Sequence, residues 1–465
     1  MHFNPFFTTL AVVITGLTPS ALGFWRLPCR GRLGTARIDP LVNPGEIAPH
    51  AHVIHGGSNF DLTVNSDQLR ESSCTSCGVV EDKSVYWTPG TYFQYPNGTT
   101  ELVGQVGGML VYYELNGKNI QAFPKGFRML AGDANQRNFT LPFPDPPSAT
   151  WSGQHSTQFA LSQKAIGFNC LNYNRDPEPA LYRHTMPSKE FLDENCADGV
   201  RMEVAFPSCW NGRDLDSPDH RSHVAYPSEV KDGACPEGFE KRIVVLFYET
   251  IWDTYAYKGV EGRFLISNGD PTGCGYHADF IEGWNEGILE QAVNTCTDKS
   301  GMVESCPLFT LQDEATQQQC KFNIAKSVYN ENCYLTDGGL PGNMAVHEGP
   351  AYASSPKIEV PAAKPSPPPS PPPPPAAPIP SPAEFYVSPA DTNQKNGPPS
   401  EDAGTPICTT WRTEGNVVYE HILVQVVTTT TVGVPADSTP TSDAIIPIRV
   451  REHLAHHRRN LHGHH

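Results

Sequence analysis

Apolar residues along this chain gather in short runs rather than in long amphipathic stretches. Residues 109–115 (MLVYYEL), 242–248 (RIVVLFY) and 263–266 (RFLI) are β-branched and aromatic runs bounded by turn residues, the pattern of strands. One segment reads differently. Phe280, Trp284, Ile288 and Val293, joined by Ile281, Leu289 and Ala292, recur at helical spacing, and Asp279 stands where an N-cap belongs. The spacing predicts a helix over 279–296. Gly, Pro and Cys punctuate residues 24–352 every few positions, and no internal repeat emerges. Short strands with one or two helices predict a mainly β fold, a sandwich or jelly-roll-like core with long disulfide-tied loops.

Both ends of the chain break this pattern. The apolar stretch 6–17 has the length of a signal-peptide core, although its flank carries His2 in place of Lys or Arg. Ala21 and Gly23 put small residues at −3 and −1 of a cleavage site, so residues 1–23 are expected to be removed and the mature chain to start at Phe24. Of the 22 residues in 361–382, 13 are Pro, which favours an extended polyproline II spacer. Residues 353–407 therefore read as a linker and 408–465 as a Thr/Pro-rich, His-rich disordered tail. The last 17 residues hold six His and four Arg, read as a solvated basic end rather than a metal site, with no terminal apolar segment for a lipid anchor. No run of 18 apolar residues occurs, so no membrane-spanning helix is expected.

Charge and cysteine usage narrow the setting. The formal charge is −17, from 50 acidic and 33 basic residues, the wrong sign for a nucleic-acid surface. Twelve of the 13 Cys lie between Cys29 and Cys333, an even number that predicts disulfides in an oxidising compartment. Cys74 and Cys77 are read as structural bridge residues rather than a zinc or redox pair. Asn97 and Asn138 open glycosylation sequons and should lie on the surface. These features predict an extracellular or cell-wall protein.

Three segments gather groups that carry chemistry. His50 and His52 stand two apart, so on extended chain both rings face one way and could share a metal or a substrate. The loop from Cys209 to His223 holds Trp210, Asp214, Asp216, His220 and His223; an Asp beside a His fixes its tautomer and raises its basicity. His277 and Tyr276 follow Cys274, and His277 is the site candidate there. Trp210 and Tyr276 are the candidate substrate-binding aromatics. There is no G-x-S-x-G, HExxH, P-loop or G-x-G-x-x-G, and an even cysteine count disfavours a Cys nucleophile.

Several blocks resemble a fungal secreted family catalogued only as a domain of unknown function. They are Phe24-Trp25-Arg26-Leu27-Pro28-Cys29, Asp39-Pro40 with His50-Ala51-His52, Ser84-Val85-Tyr86-Trp87-Thr88-Pro89, Met129-Leu130-Ala131-Gly132, Cys209-Trp210 through His223, and Gly275-Tyr276-His277-Ala278-Asp279-Phe280. Members of that family are sometimes joined to small sugar-binding wall modules, and none is recognisable in this chain. The resemblance implies an extracellular or wall setting and assigns no reaction. The expectation is a cleft of His50, His52, Asp214, His220, His223 and His277 beside Trp210, acting on wall or biomass polysaccharide by hydrolysis or elimination, or through a divalent metal ion. The alternative is a non-catalytic extracellular structural or binding module, with or without a metal.

Overall fold

The computed structural model describes residues 23–353, 405–414 and 417–425. In the first of these stretches two five-stranded antiparallel sheets face each other. One runs in the order Phe24–Cys29, Gln105–Glu114, Val245–Trp252, Val200–Ala205 and Ile166–Cys170. The other runs Gly34–Ala36, His52–Gly56, Val85–Pro89, His277–Ile281 and Arg128–Gly132. Smaller sheets of three and four strands flank them, and no barrel closes. The fold is mainly β, with few and short helices, as the punctuated apolar runs predict. Strand 263–266 falls where the sequence puts it; the runs at 109–115 and 242–248 lie within or beside longer strands.

The side chains between the sheets explain why they stack. Period-two alternation turns Val111, Tyr113, Leu246 and Tyr248 inward from one sheet, and Val53, Tyr86, Ala131, Ala278 and Phe280 inward from the other, into one buried cluster. Tyr86 meets Tyr248 edge to face with centroids 5.6 Å apart, and its hydroxyl lies 2.8 Å from that of Tyr113. The opposite face of the second sheet carries Ile54, Trp87, Leu130 and Ile281. These residues bury against Leu33, Ile38, Phe60 and Phe322 from the segments that cover this face. His52, His277 and Asp279 share that covered face by the same alternation.

The helix expected over 279–296 is corrected. His277–Ile281 is a strand paired on both sides, and the helix spans only Ile288–Thr295, capped by Gly287 at φ 75°. Phe280 and Trp284 do join the core, but from a strand and from an isolated antiparallel bridge to Asp82. Gly283 and Gly287 interrupt helical propagation, and the alternation His277/Asp279/Ile281 against Ala278/Phe280 already fits a strand. Asp279 is therefore mid-strand and buried, and caps nothing.

Among the described residues ten cysteines form five disulfides: Cys29–Cys77, Cys74–Cys320, Cys170–Cys196, Cys209–Cys235 and Cys296–Cys306. Cys74 and Cys77 are structural, each tied to a distant partner. The expectation of full pairing fails at Cys274 and Cys333, which are free and buried. Burial pushes their thiols up to about 11 and about 12, so both stay protonated and unreactive near neutral pH. Asn97 and Asn138 are exposed, as their sequons require. Among the described residues no helix is long and apolar enough to cross a membrane. The signal-peptide core and the Pro-rich run lie outside the described residues. Across the end of the expected linker and the start of the expected disordered tail, Thr405–Glu414 and Val417–Gln425 pair as antiparallel strands. The second of these strands, VVYEHILVQ, is rich in β-branched residues, a strand former that the Thr/Pro composition of the tail as a whole masks.

Candidate metal centre

His52 opens its strand opposite Pro89, and Asp279 pairs with Trp87 two positions along the neighbouring strand. That register sets His52 and His277 on one face with a single strand between them. His50 lies just before the strand and turns its ring to the same side, 4.4 Å from that of His52 between centroids. One ring nitrogen from each of His50, His52 and His277 lies within 4.8 Å of the others, across 227 residues of sequence. All three rings are buried, and the most exposed residue, His50, is 6% accessible.

The hydrogen bonds fix which nitrogens face inward. His52 Nδ1 lies 3.1 Å from the Ile38 carbonyl, and His277 Nδ1 lies 2.9 Å from the Gly275 carbonyl. A carbonyl accepts only, so each Nδ1 carries the proton and each Nε2 presents a lone pair. His50 Nε2 lies 3.1 Å from His277 Nε2, and His52 Nε2 has no hydrogen-bond partner among the described residues. Burial, reinforced by the neighbouring rings at His50 and His52, holds the imidazoles below their usual range; His277 drops to about 4. The trio is neutral at pH 7, the form that ligates metal.

Two carboxyls stand close by. Asp39 accepts the backbone N–H groups of Leu41 and Val42 at 3.1 and 3.0 Å. Asp279 is fully buried, and among the described residues neither carboxyl oxygen has a hydrogen-bond partner. Burial raises it well above the carboxylate range, and the nearby Asp39 adds to the shift. Sequence reasoning missed Asp279 as a site residue by reading it as a helix cap. The signal was its two-residue spacing from His277, the same spacing noticed for His50 and His52.

The other sequence candidates are not part of that trio, although His220 lies near enough to Asp39 for its charge to act on it. The Cys209–His223 loop runs along the free edge of strand Arg128–Gly132, where the His220 carbonyl accepts the Leu130 N–H at 2.9 Å. Since Leu130 pairs with Asp279, one strand separates this loop from that of His277. His220 Nδ1 lies 2.7 Å from Asp216 Oδ1. His223 is buried; its Nε2 lies 2.9 Å from the Arg128 carbonyl and its Nδ1 2.9 Å from Ser217 Oγ, so both nitrogens have close polar partners. Asp214 is partly exposed and holds Arg213 and Asn211. Trp210 is half-buried, donates to the Asp214 carbonyl and meets Phe127 edge to face. Tyr276 is 1% exposed in the core, its hydroxyl 3.1 Å from that of Thr250. The structure thus joins His50, His52 and His277, while Asp214, His220, His223, Trp210 and Tyr276 are engaged in their own surroundings.

His55, third in the same short segment, faces the opposite side of the sheet, and neither of its nitrogens has a hydrogen bond of ordinary geometry. Burial lowers it to about 3, with Arg32 adding to the effect. Its folded value lies below the unfolded one of about 6.5. It therefore contributes stability that is present above pH 6.5 and is lost as pH falls toward 3. Wild type should lose about 2 kcal/mol between pH 7.5 and pH 5 relative to His55→Leu, measured by urea denaturation of both proteins. Parallel pH dependence in the two would contradict this assignment.

No curated protein and no solved structure matches the chain. A family match covers more than half of its 465 residues and takes in all three histidines, Asp39, Asp279 and the Cys209–His223 loop. The chain belongs to the family described as Domain of unknown function (DUF1996), matched over residues 39–284.

Proposed function

We propose that this is an extracellular metalloprotein of the cell wall or of biomass, in which His50, His52 and His277 bind one divalent ion, zinc or copper, and which acts on or binds polysaccharide. The observation that carries the metal reading is the convergence of the three ring nitrogens within 4.8 Å. In a tetrahedral zinc site with bonds of ~2.0–2.1 Å, ligand nitrogens stand about 3.3 Å apart. His50 Nε2 and His277 Nε2, at 3.1 Å, are close to that spacing before any ion is added. Backbone carbonyls on the far nitrogens of His52 and His277 provide the outer hydrogen bonds that metal-bound imidazoles use. An ion would also satisfy His52 Nε2, and its charge would favour the ionised form of the orphaned Asp279 carboxyl. Three imidazoles leave one coordination position for water or a substrate oxygen. The extracellular setting rests on the five disulfides, and the polysaccharide partner on the stalk-like composition of the region after residue 353.

The burial of the trio favours a second reading, in which the ion fastens the covering segments to the sheet and carries no reaction. The test of metal binding uses the full chain with His453, His456, His457, His462, His464 and His465 replaced by alanine, which removes the competing tail. Titration with zinc should give one tight equivalent per chain. Loss of all tight binding along with the tail histidines would overturn the metal reading. Zinc-dependent release of sugar from wall glycans then identifies the catalytic form. A zinc-dependent rise in melting temperature with no release identifies the structural one.

A further inference from the structure

The strand carrying His277 ends beside a cavity of 520 Å³, within the range of small-molecule sites. Gly132, whose backbone pairs with His277, forms part of its wall, with Asp133, Phe159, Asp219, Arg221 and Cys274. Of its charged groups, Asp219 already accepts Ser217 Oγ, Ser222 Oγ and the backbone N–H groups of Arg221 and Ser222. Asp133 accepts the Tyr352 hydroxyl at 2.8 Å. Arg221 is different. Its guanidinium makes no hydrogen bond among the described residues, its nearest carboxylate oxygen, on Asp133, is 3.8 Å away, and its buried Nε is orphaned. The side chain is 42% exposed, so one part reaches the cavity while the Nε end is dry. Arg221 lies near enough to His277 and Asp279 for its charge to act on both.

A guanidinium with its hydrogen-bonding edge unused is the complement of a carboxylate, which it grips with two parallel N–H···O bonds. Phe159, 55% exposed on the same wall, offers a ring face for the apolar part of such a ligand. The geometry points to Arg221 as the anchor of a small carboxylate ligand, an acidic sugar, bound in this cavity next to the three-histidine centre. The choice of a sugar over another carboxylate rests on the polysaccharide reading above; the carboxylate grip stands without it.

The experiment is calorimetric titration of the full chain, zinc-free and zinc-loaded, with D-glucuronate, D-glucose and acetate. Glucuronate should bind at least tenfold more tightly than glucose. Arg221→Gln should lose that tenfold preference, and Arg221→Lys, which keeps charge but not the fork, should lose part of it. Phe159→Ala should weaken glucuronate severalfold and leave acetate unchanged. Near-UV circular dichroism checks that each variant is folded. Glucuronate binding no tighter than glucose, or unaffected by both Arg221 substitutions, overturns the proposal. Acetate binding as tightly as glucuronate with no effect of Phe159→Ala retains the carboxylate grip and overturns the sugar. If zinc fails to bind while glucuronate still depends on Arg221, the metal reading falls alone; zinc binding without glucuronate binding has the reverse meaning.

Discussion

His277→Ala should weaken zinc binding by at least about 100-fold, roughly 3 kcal/mol. The expectation follows from the number of donors. Three imidazole nitrogens converge within 4.8 Å, so removing one leaves a two-nitrogen site. Losing even an outer hydrogen bond to a metal ligand typically costs 10–100-fold, and losing the ligand itself costs more. His52→Ala should act the same way, since His52 Nε2 has no other partner to hold it. His220→Ala and His223→Ala should leave zinc affinity unchanged, because the first ring is bound to Asp216 and the second has both nitrogens occupied. Zinc at 100 times its dissociation constant should stabilise wild type by about 2.7 kcal/mol and the His277 variant hardly at all. Thermal melts with and without zinc read this directly. Equal zinc shifts in wild type and His277→Ala would place the metal elsewhere.

Replacing Cys74 and Cys320 together by serine should destabilise the fold by about 4–5 kcal/mol, the largest loss expected from any one bridge. This disulfide closes 246 residues of sequence, whereas Cys296–Cys306 closes only 10. On the chain-entropy account the cost of closing a loop grows with the logarithm of its length, so the short bridge should be worth about 2–3 kcal/mol. Location reinforces the ranking. Cys320 and Phe322 belong to the cluster that covers the outer face of the second sheet, the face on which His52 and His277 lie. Loosening that cover should also weaken zinc binding, while the Cys296/Cys306 pair of substitutions should not. Denaturant midpoints for the two double variants, with zinc titrations on each, decide the matter. Equal destabilisation by both would show that the long closure carries no special weight.

Some of this site was legible before folding was considered. The spacing of His50 and His52 places two rings on one side of an extended chain, and the structure has them 4.4 Å apart. The spacing of His277 and Asp279 carried the same information, but the apolar residues from Phe280 onward also fitted a helix, and that longer pattern outweighed the shorter one. Short runs admit both periods, and the pairing of His277–Ile281 with strands on each side resolves the ambiguity. The Cys209–His223 loop was the richest segment in His and Asp, yet most of its Asp, Asn, Ser and His side chains bond one another locally. Local hydrogen bonding is what closely spaced Asp, Ser and His do when no outside partner intervenes.

The sequence by itself determined the class of fold, the disulfide-rich character and the family, because alternation, cysteine number and local motif blocks are properties of neighbouring positions. It could not determine that His277 closes on His50, that Asp279 lies buried and unpartnered, or that Cys274 stays free. Those facts depend on strand order and register, which bring together residues more than 200 positions apart. Register is selected by which faces bury against which, a balance summed over the whole core, and no local pattern contains it.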